Sequence, residues 1–356
     1  MSVDSLTGNL YVADSFNGAI RMINKTTGII TCVAGRGYSY RRGDGGLAVL
    51  ATLSFPNDVA IDPFNGNIYI ADGNTIRMIT KSTGIITTIA GISTWSGYTG
   101  DGGLATLATL SSPQGIDVDP RTGDLYIADT YNYAVRMVKR STGIISTIAG
   151  TGEGGYAGDG GLATSAMLKR PEDIAIEGAT GNIYIADGNT IRMITKSTGI
   201  ITTIAGNSTR ADYTGDGGLA TLATLSSPQG IDVDPRTGDL YIADTYNYAV
   251  RMVKRSTGII STIAGTGEGG YAGDGGPATS AKLSSPHSVV LDASSSMMYI
   301  ATQYNYVVRN LVWTPTTAVN SPSMAPTGYS PSIAPTKYSP SMAPTETGNI
   351  MRYYVI

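Results

Sequence analysis

An all-β fold, a β-propeller of four-stranded antiparallel blades, is predicted by three observations. A unit of 57 or 58 residues returns along the chain, each unit holds short runs rich in Ile, Val, Tyr and Thr, and Gly, Pro, Asn or Asp bounds every run. The phrase GNLYVADSFNGAIRMINKTTGIITCVAG comes back as GNIYIADGNTIRMITKSTGIITTIAG from Gly66 and GDLYIADTYNYAVRMVKRSTGIISTIAG from Gly123, then again from Gly181 and Gly238. Measured on the Asp of the Ala-Asp pair, the copies fall at Asp14, Asp72, Asp129, Asp187 and Asp244, and a degenerate sixth copy puts Thr302 there. The Pro that opens each unit keeps the same step, at Pro56, Pro113, Pro171, Pro228 and Pro286.

The third copy shows the strands in order: QGIDVDP, GDLYIADT, YAVRMVK and GIISTIAG. A polar loop joins the second and third. Ser-Thr-Gly joins the third and fourth, with Gly143 supplying the positive φ of a tight hairpin. A lone twisted sheet leaves two apolar faces wet until neighbouring sheets cover them, so four such strands at a fixed period form one blade of a ring.

Composition closes several functional classes. Cys32 is the single cysteine and His287 the single histidine, so neither an internal disulfide nor a His-based zinc site is available. The charged fraction is 14%, the formal charge is -3, and Arg41-Arg42 is the one basic run that stands out, so no nucleic-acid footprint is expected. No apolar stretch approaches the roughly 20 residues of a spanning helix, and the start, MSVDSLTGNLYVADS, lacks the layout of a signal peptide.

The run Asp14-Ser-Phe-Asn17-Gly-Ala-Ile20-Arg21, between LYVA and TGII, resembles the NHL repeat, and AGDGGLATSAMLKRPEDIAIE from Ala157 resembles the linker of its long subtype. The resemblance covers residues 1 to 313 and implies a six-bladed β-propeller. The chain departs from the pattern in three ways: blades 2 and 4 shorten the loop, as in Asp72-Gly-Asn-Thr-Ile-Arg77, blade 6 replaces the Asp by Thr302, and the ends do not close neatly. Blades are expected at 1-35, 56-91, 113-150, 171-206, 228-265 and 286-314. Blade 1 has a curtailed first strand and blade 6 has three strands. A Pro/Ser/Thr-rich nonapeptide stretch at 315-347 (SPSMAPTGY, SPSIAPTKY, SPSMAPTET) reads as an extended, disordered stalk. Residues 348-356 read as one further strand that can return to the ring. The stalk's composition suggests an extracellular or cell-surface setting.

Strand alternation puts the loops between second and third strands, of the Thr130-Tyr131-Asn132-Tyr133 type, on one face with the long connections between blades. Those connections carry Y-[AT]-G-D-G-G, which pairs Tyr98 with Asp101, Tyr156 with Asp159, Tyr213 with Asp216 and Tyr271 with Asp274, and which blade 1 varies as Tyr40-Arg41-Arg42-Gly-Asp44. An aromatic ring beside a carboxylate around a rim suits a glycan or peptide. The alternative is structural, the Asp accepting backbone N–H groups in its turn. The expected ligand-binding set is Trp95, Tyr98, Asp101, Tyr131, Tyr133, Tyr156, Asp159, Arg210, Tyr213, Asp216, Tyr271 and Asp274. Structural ion pairs are expected at Asp14/Arg21, Asp72/Arg77, Asp129/Arg136, Asp187/Arg192 and Asp244/Arg251. Asp117, Asp119, Asp232 and Asp234 alternate with Ile and Val on opening strands and point to the central channel. Calcium takes about six to eight oxygens, and the Asp-Gly-Gly loops offer one carboxylate each, so no cofactor is expected, with calcium or another cation at the channel aspartates as the lesser alternative.

Residues 66-168 and 181-283 differ only at 92, 95, 96, 97, 162 and 167, which places Ile92, Trp95, Ser96 and Gly97 opposite Asn207, Arg210, Ala211 and Asp212. Twinned surfaces suit binding better than catalysis, which needs an asymmetric set of groups. The unrepeated candidates are His287, Glu172, Asp173, Glu177, Cys32 and Trp313, with Cys32 read as a half-buried thiol. The expected function is a non-catalytic binding or scaffold propeller, monomeric, that takes a protein, peptide or glycan and has no nucleic-acid partner and no membrane span. The alternatives are a metal-dependent hydrolase or lyase of the six-bladed type, and an extracellular wall or adhesion component.

Overall fold

The computed structural model describes residues 1-37 and 42-312, together with the backbone of Arg352–Val355. Six four-stranded antiparallel sheets follow one another along the chain. In blade 3 the strands are Ile116–Val118, Leu125–Asp129, Ala134–Val138 and Ile145–Ala149, running from the central channel to the outer edge. Blade 1 opens with a two-residue strand, Ser2–Val3. In blade 6, Arg352–Val355 pairs with Val307–Val312 as the outer strand. Trp313, Tyr40, Arg41 and the nonapeptide stretch at 315-347 lie outside the described residues.

Turn chemistry decides the local geometry. Gly143 has φ 69°, which lets four residues reverse the chain between the third and fourth strands of blade 3. A register shift between Val135 and Arg136 puts a β-bulge just before the arginine, and the same shift precedes Arg21, Arg77, Arg192 and Arg251. A bulge bends its strand and re-aims the side chain that follows, here an arginine.

The apolar core lies between blades. One cluster joins Tyr69, Ile76 and Ala90 of blade 2 to Ile116, Leu125, Ile127 and Ile145 of blade 3, sealed by Ala105, Ala108 and Leu110 of the intervening connector. The closing contact between blades 6 and 1 packs Val290 and Tyr299 on Leu10 and Ile23. Lys25 Nζ adds an ion pair to Asp292 at 2.5 Å across that seam.

The connectors do not stay on the loop face. After Gly150 the chain descends the outer edge of the following blade: Gly160 N donates to Ile201 O, Ile201 N donates to Gly161 O, and Ala163 N donates to Gly199 O beside the lower hairpin. It then climbs back as the second arm of a hairpin, with Met167 bridged to Ala157, before Pro171 opens the next blade. Close approach of the two arms explains the Gly before each Asp. A Cβ on Gly100 would stand 2.6 Å from the Ala108 backbone, and Gly100 has φ 96°.

That route brings two separately predicted motifs together. Arg136 is fully buried and donates to Asp129 at 3.3 Å and to Asp101 of the preceding connector at 2.7 Å. Its guanidinium also reaches the Thr99 and Thr109 carbonyls, and the Tyr98 ring lies 5.2 Å from it. Arg77, Arg192 and Arg251 repeat the arrangement with Asp72 and Asp44, Asp187 and Asp159, and Asp244 and Asp216. Arg309 of blade 6 pairs with Asp274, since Thr302 replaces the other carboxylate. Blade 1 has no described connector before it, and Arg21 meets Asp14 alone at 3.2 Å with 37% of its side chain exposed.

Arg136→Ala leaves Asp129 in the interior without its cation and is expected to cost about 3–5 kcal/mol. Arg21→Ala removes a solvent-screened pair and is expected to cost about 1 kcal/mol or less. Thermal melts of the two variants check the contrast, and equal shifts in Tm would contradict it.

Candidate functional site

The upper face, defined by the strand-opening prolines and the loops between second and third strands, holds the exposed aromatic side chains. In blades 1, 3, 5 and 6 that loop is a 3-10 turn, and it lifts Phe16, Tyr131, Tyr246 and Tyr304 to 65%, 51%, 54% and 63% exposure. Blades 2 and 4 replace the turn with Gly-Asn and stay flat. The turn is rigid because Asn132 Nδ2 donates to Asp129 Oδ2 at 2.8 Å and to Gly97 O, while Thr130 Oγ1 donates to Pro171 O of the next blade. The buried carboxylate that holds the arginine therefore also holds the loop. Burial pushes Asp129 and Asp244 up to about 6 against the hydrogen bonds that lower them.

The Tyr-x-Gly-Asp set is a correction to the rim expectation. Asp101, Asp159, Asp216 and Asp274 lie on the outer edge as partners of buried arginines. Tyr98, Tyr156, Tyr213 and Tyr271 cover those same guanidinium groups. The hydroxyls of Tyr98, Tyr156 and Tyr213 bond Thr147, Thr203 and Thr262 on the following blade's outer strand. Burial raises Asp159, and the bonds from Thr203 and Arg192 outweigh it, leaving the carboxyl below its ordinary range. The outer-edge network thus engages the residues that the sequence offered for a ligand. Trp95 is 69% exposed and Arg210 pairs loosely with Asp212, each on its own connector, so the two are not brought together.

The channel carboxylates have a backbone role. Asp58 and Asp117 accept from Ile116 N and Ile176 N of the next blade, and Asp173 and Asp232 accept from Ile231 N and Leu291 N. Blades 2 and 4 place this Asp two positions earlier than blades 3 and 5, where Gly115 and Gly230 admit the neighbouring strand instead. Asp119 and Asp234 were expected in the channel, and the structure places them in the lower turns, where each receives its own Arg121 or Arg236. The lower channel forms a cavity of about 590 Å³, lined in part by Asp58, Asp117, Asp173 and Asp232. Among the described residues no three His, Cys, Asp or Glu side chains converge as a metal-holding group.

Two unrepeated residues change their reading. Cys32 is exposed rather than half-buried, because no described connector covers the outer edge of blade 1. Glu172 is buried beneath the upper face and pairs with Arg170 at 2.6 Å, and burial raises its pKa to about 6. Arg170 in turn lies 5.4 Å from the Tyr131 ring. Lys169 and Arg170 were missed in the sequence. The signal was present in the two residues before each strand-opening Pro, which read Ser-Phe, Ser-Ser, Lys-Arg, Ser-Ser and Ser-Ser.

A Teneurin NHL domain model matches residues 37-99 and 152-213, and an NHL repeat model matches 110-136 and 225-251. Teneurin-4 of Mus musculus is 29% identical over 337 residues, 85% of this chain and 12% of that protein. Protein SUPPRESSOR OF QUENCHING 1, chloroplastic, of Arabidopsis thaliana is 28% identical over 268 residues, covering 73% of this chain and 25% of its own length. The chain thus spans a quarter or less of these two relatives. Among solved structures, an auxiliary nutrient binding protein from Bacteroides thetaiotaomicron superposes with TM-score 0.61 at 17% identity, over 86% of this chain and 67% of the other. A Nidogen/Laminin complex gives 0.55 at 14% identity, over 85% and 88%. A gluconolactonase from Xanthomonas campestris gives 0.53 at 13% identity, over 85% and 81%. These likenesses establish a shared fold. No helix among the described residues is long and apolar enough to cross a membrane.

Stability is expected to depend on pH through the channel. Burial raises Asp117 from 3.8 to about 8 and Asp232 to about 7, against two backbone donors each, and Asp173 is also raised by burial and by Asp58. The Met1 amino group donates to Asp58 at 2.9 Å and to Ser288 Oγ at 3.3 Å, and its charge opposes the rise of Asp173 and Asp232. The folded state therefore keeps protons that the unfolded chain has released, so this stabilisation is present at low pH and is lost as pH rises through about 7 to 8. Tm should fall between pH of about 5.5 and about 9. Asp117→Asn should have a lower Tm, having lost the acceptor for Ile176 N, and a shallower pH slope. An unchanged slope would contradict the assignment.

Proposed function

Because the chain is an NHL-repeat β-propeller, we propose that it is a non-catalytic binding module that takes a protein, peptide or glycan on the upper face. The observation that carries this reading is the set of exposed rings at Phe16, Tyr131, Tyr246, Tyr304 and Tyr306, held on 3-10 turns whose polar side chains are locked to neighbouring blades. Aromatic side chains with few rotatable bonds lose little entropy on binding and anchor many interfaces. The turns of blades 1, 3 and 5 are each fixed by an Asp and Asn pair, Asp14 with Asn17, Asp129 with Asn132 and Asp244 with Asn247, and blade 6 has Thr302 in place of the Asp. The scaffold is therefore preorganised, which lowers the entropic cost of association.

Duplication supports the same reading. Tyr131 and Tyr246 occupy equivalent turns in the near-identical segments, so a ligand with a repeated element meets two copies of one surface. Two-point attachment raises avidity without any new type of contact when the geometry permits both. The channel supports binding rather than chemistry, since each of its four aspartates already accepts from backbone N–H groups of the neighbouring blade. Two of the similar structures carry names of recognition, an auxiliary nutrient binding protein and a Nidogen/Laminin complex, and a third is named as a gluconolactonase.

Replacing Tyr131, Tyr246 and Tyr304 together by Ala is expected to weaken capture of a ligand selected on peptide and glycan arrays by about ten-fold or more, with Tm little changed. Undiminished capture would reject the upper face as the binding surface.

A further inference from the structure

One junction on the upper face breaks the repeat. Between blades 3 and 4, Tyr133, Gly154, Gly155, Tyr156, Lys169, Ser208 and Thr209 line an open pocket of about 580 Å³. We propose that this pocket binds an acidic saccharide unit, a sugar ring bearing a carboxylate, with Lys169 as the cation that reads the charge. The proposal rests on the binding reading above and adds the place and the ligand class.

The pocket is built from parts that suit such a ligand. Tyr133 and Tyr156 line the pocket; Tyr156 turns one ring face to the Arg192 guanidinium and Tyr133 packs against Gly154, so the opposite face of each ring is what can meet the apolar C–H face of a pyranose. Ser208 and Thr209 offer hydroxyls that can donate and accept, as sugar hydroxyls require. Gly154 and Gly155 leave the floor open: a Cβ on Gly154 would stand 2.9 Å from the Tyr133 ring, and one on Gly155 would stand 2.7 Å from Met167 Cε. Lys169 is exposed, and its only hydrogen bond is the one its backbone N–H makes to Asp187. Among the described residues no carboxylate lies within ion-pair reach of its ammonium. Glu153, the nearest acid in sequence on the wall, is exposed and does not line the pocket.

The equivalent junctions serve as internal controls. Ser54, Ser111, Ser226 and Ser284 stand where Lys169 stands. Blade 5 repeats Tyr133 and Tyr156 as Tyr248 and Tyr271, yet offers Ser284 in place of the lysine. There the one nearby ammonium, Lys282, is already paired with Glu268 at 2.7 Å. The rings are thus shared and the unpaired cation is not, so charge selectivity belongs to the blade 3 and 4 junction.

The test replaces Lys169-Arg170-Pro171-Glu172 by the Ser-Ser-Pro-Gln found at 111-114 and 226-229, as the triple variant K169S/R170S/E172Q. That change removes Arg170 and Glu172 together and leaves no buried charge unpaired. Titration calorimetry of the full chain uses an oligogalacturonate, its neutral methyl-ester counterpart and a polyglutamate peptide as probes. The expected result is binding of oligogalacturonate, weaker binding of the neutral ester, loss of about ten-fold or more in the triple variant, and recovery in Lys169→Arg. Tm should change little. Equal affinity for acid and ester, undiminished binding by the triple variant, or preference for the peptide would each overturn the proposal. If oligogalacturonate fails to bind while the aromatic triple variant still loses its array-selected ligand, this inference falls and the upper-face reading stands.

Discussion

A guanidinium buried in the middle of blades 2 to 6 is the constraint on which the rest of the propeller depends. Arg77, Arg136, Arg192 and Arg251 are wholly removed from solvent, and an uncompensated charge there is far costlier than a surface one. Two carboxylates answer it. One comes from the blade's own second strand, and the other comes from the connector before it. Since the connector Asp can reach the arginine only by descending the outer edge, the pairing dictates the path of every long loop. The inner carboxylate then fixes the upper turn through Asn132 or Asn247. One buried cation therefore organises the outer edge, the interior and the face that carries the aromatic rings.

Blades are joined at three heights by polar contacts of different kinds. The connector Asp grips the following blade at the outer edge. Channel aspartates reach a backbone N–H of the next blade at the centre. Below, the cation in each lower hairpin reaches back: Lys25 to Asp292, Arg140 to Asp62, Arg255 to Glu177, and Lys81 and Lys196 to the hydroxyls of Tyr11 and Tyr126. At the seam between blades 6 and 1 the described contacts are the ion pair of Lys25 with Asp292, the bond from the Met1 amino group to Ser288 Oγ, and the cluster of Leu10, Ile23, Val290 and Tyr299. Burial raises Asp292, and the bonds from Lys25, Ser294 and Ser295 overcome it, bringing the carboxyl to about 2. The contribution of Asp292 to the seam is therefore present at neutral pH and is lost as pH falls from about 3.8 through about 2.

The strands and their order were legible in the sequence because period, β-rich runs and turn residues all agree, as at Gly143 and the Ile-Ile-Ser-Thr run after it. The pairing of Asp129 with Arg136 was legible because seven residues around a short loop bring adjacent strands into contact. What could not be read was the second carboxylate. Asp101 lies 35 residues before Arg136, and only the descent of the connector, governed by Gly100 and by hydrogen bonds to Ile145, brings the two side chains together. The channel was half legible for a related reason. Asp117 and Asp119 differ by one strand period and share a face on paper, but the strand ends at Val118 and Asp119 turns into the lower hairpin.

Repetition itself bears on where recognition resides. A residue type that returns in every blade at the same contact, such as the connector Asp or its Tyr, is accounted for by the assembly of the ring. Its recurrence follows from five similar junctions needing the same clamp. Information about a ligand must then lie where the pattern fails. Lys169 and Arg170 fail it in charge, where other blades place Ser or Phe. Glu172 fails it together with them, exchanging an amide for a carboxylate that balances Arg170 in a buried slot. The three changes compensate one another electrostatically, which leaves the Lys169 ammonium as the one charge of the group with no internal partner among the described residues. An exposed cation with no ion-pair partner among the described residues, beside two tyrosine rings and two hydroxyls, is where the proposed ligand would meet a charge that the repeated clamps do not use.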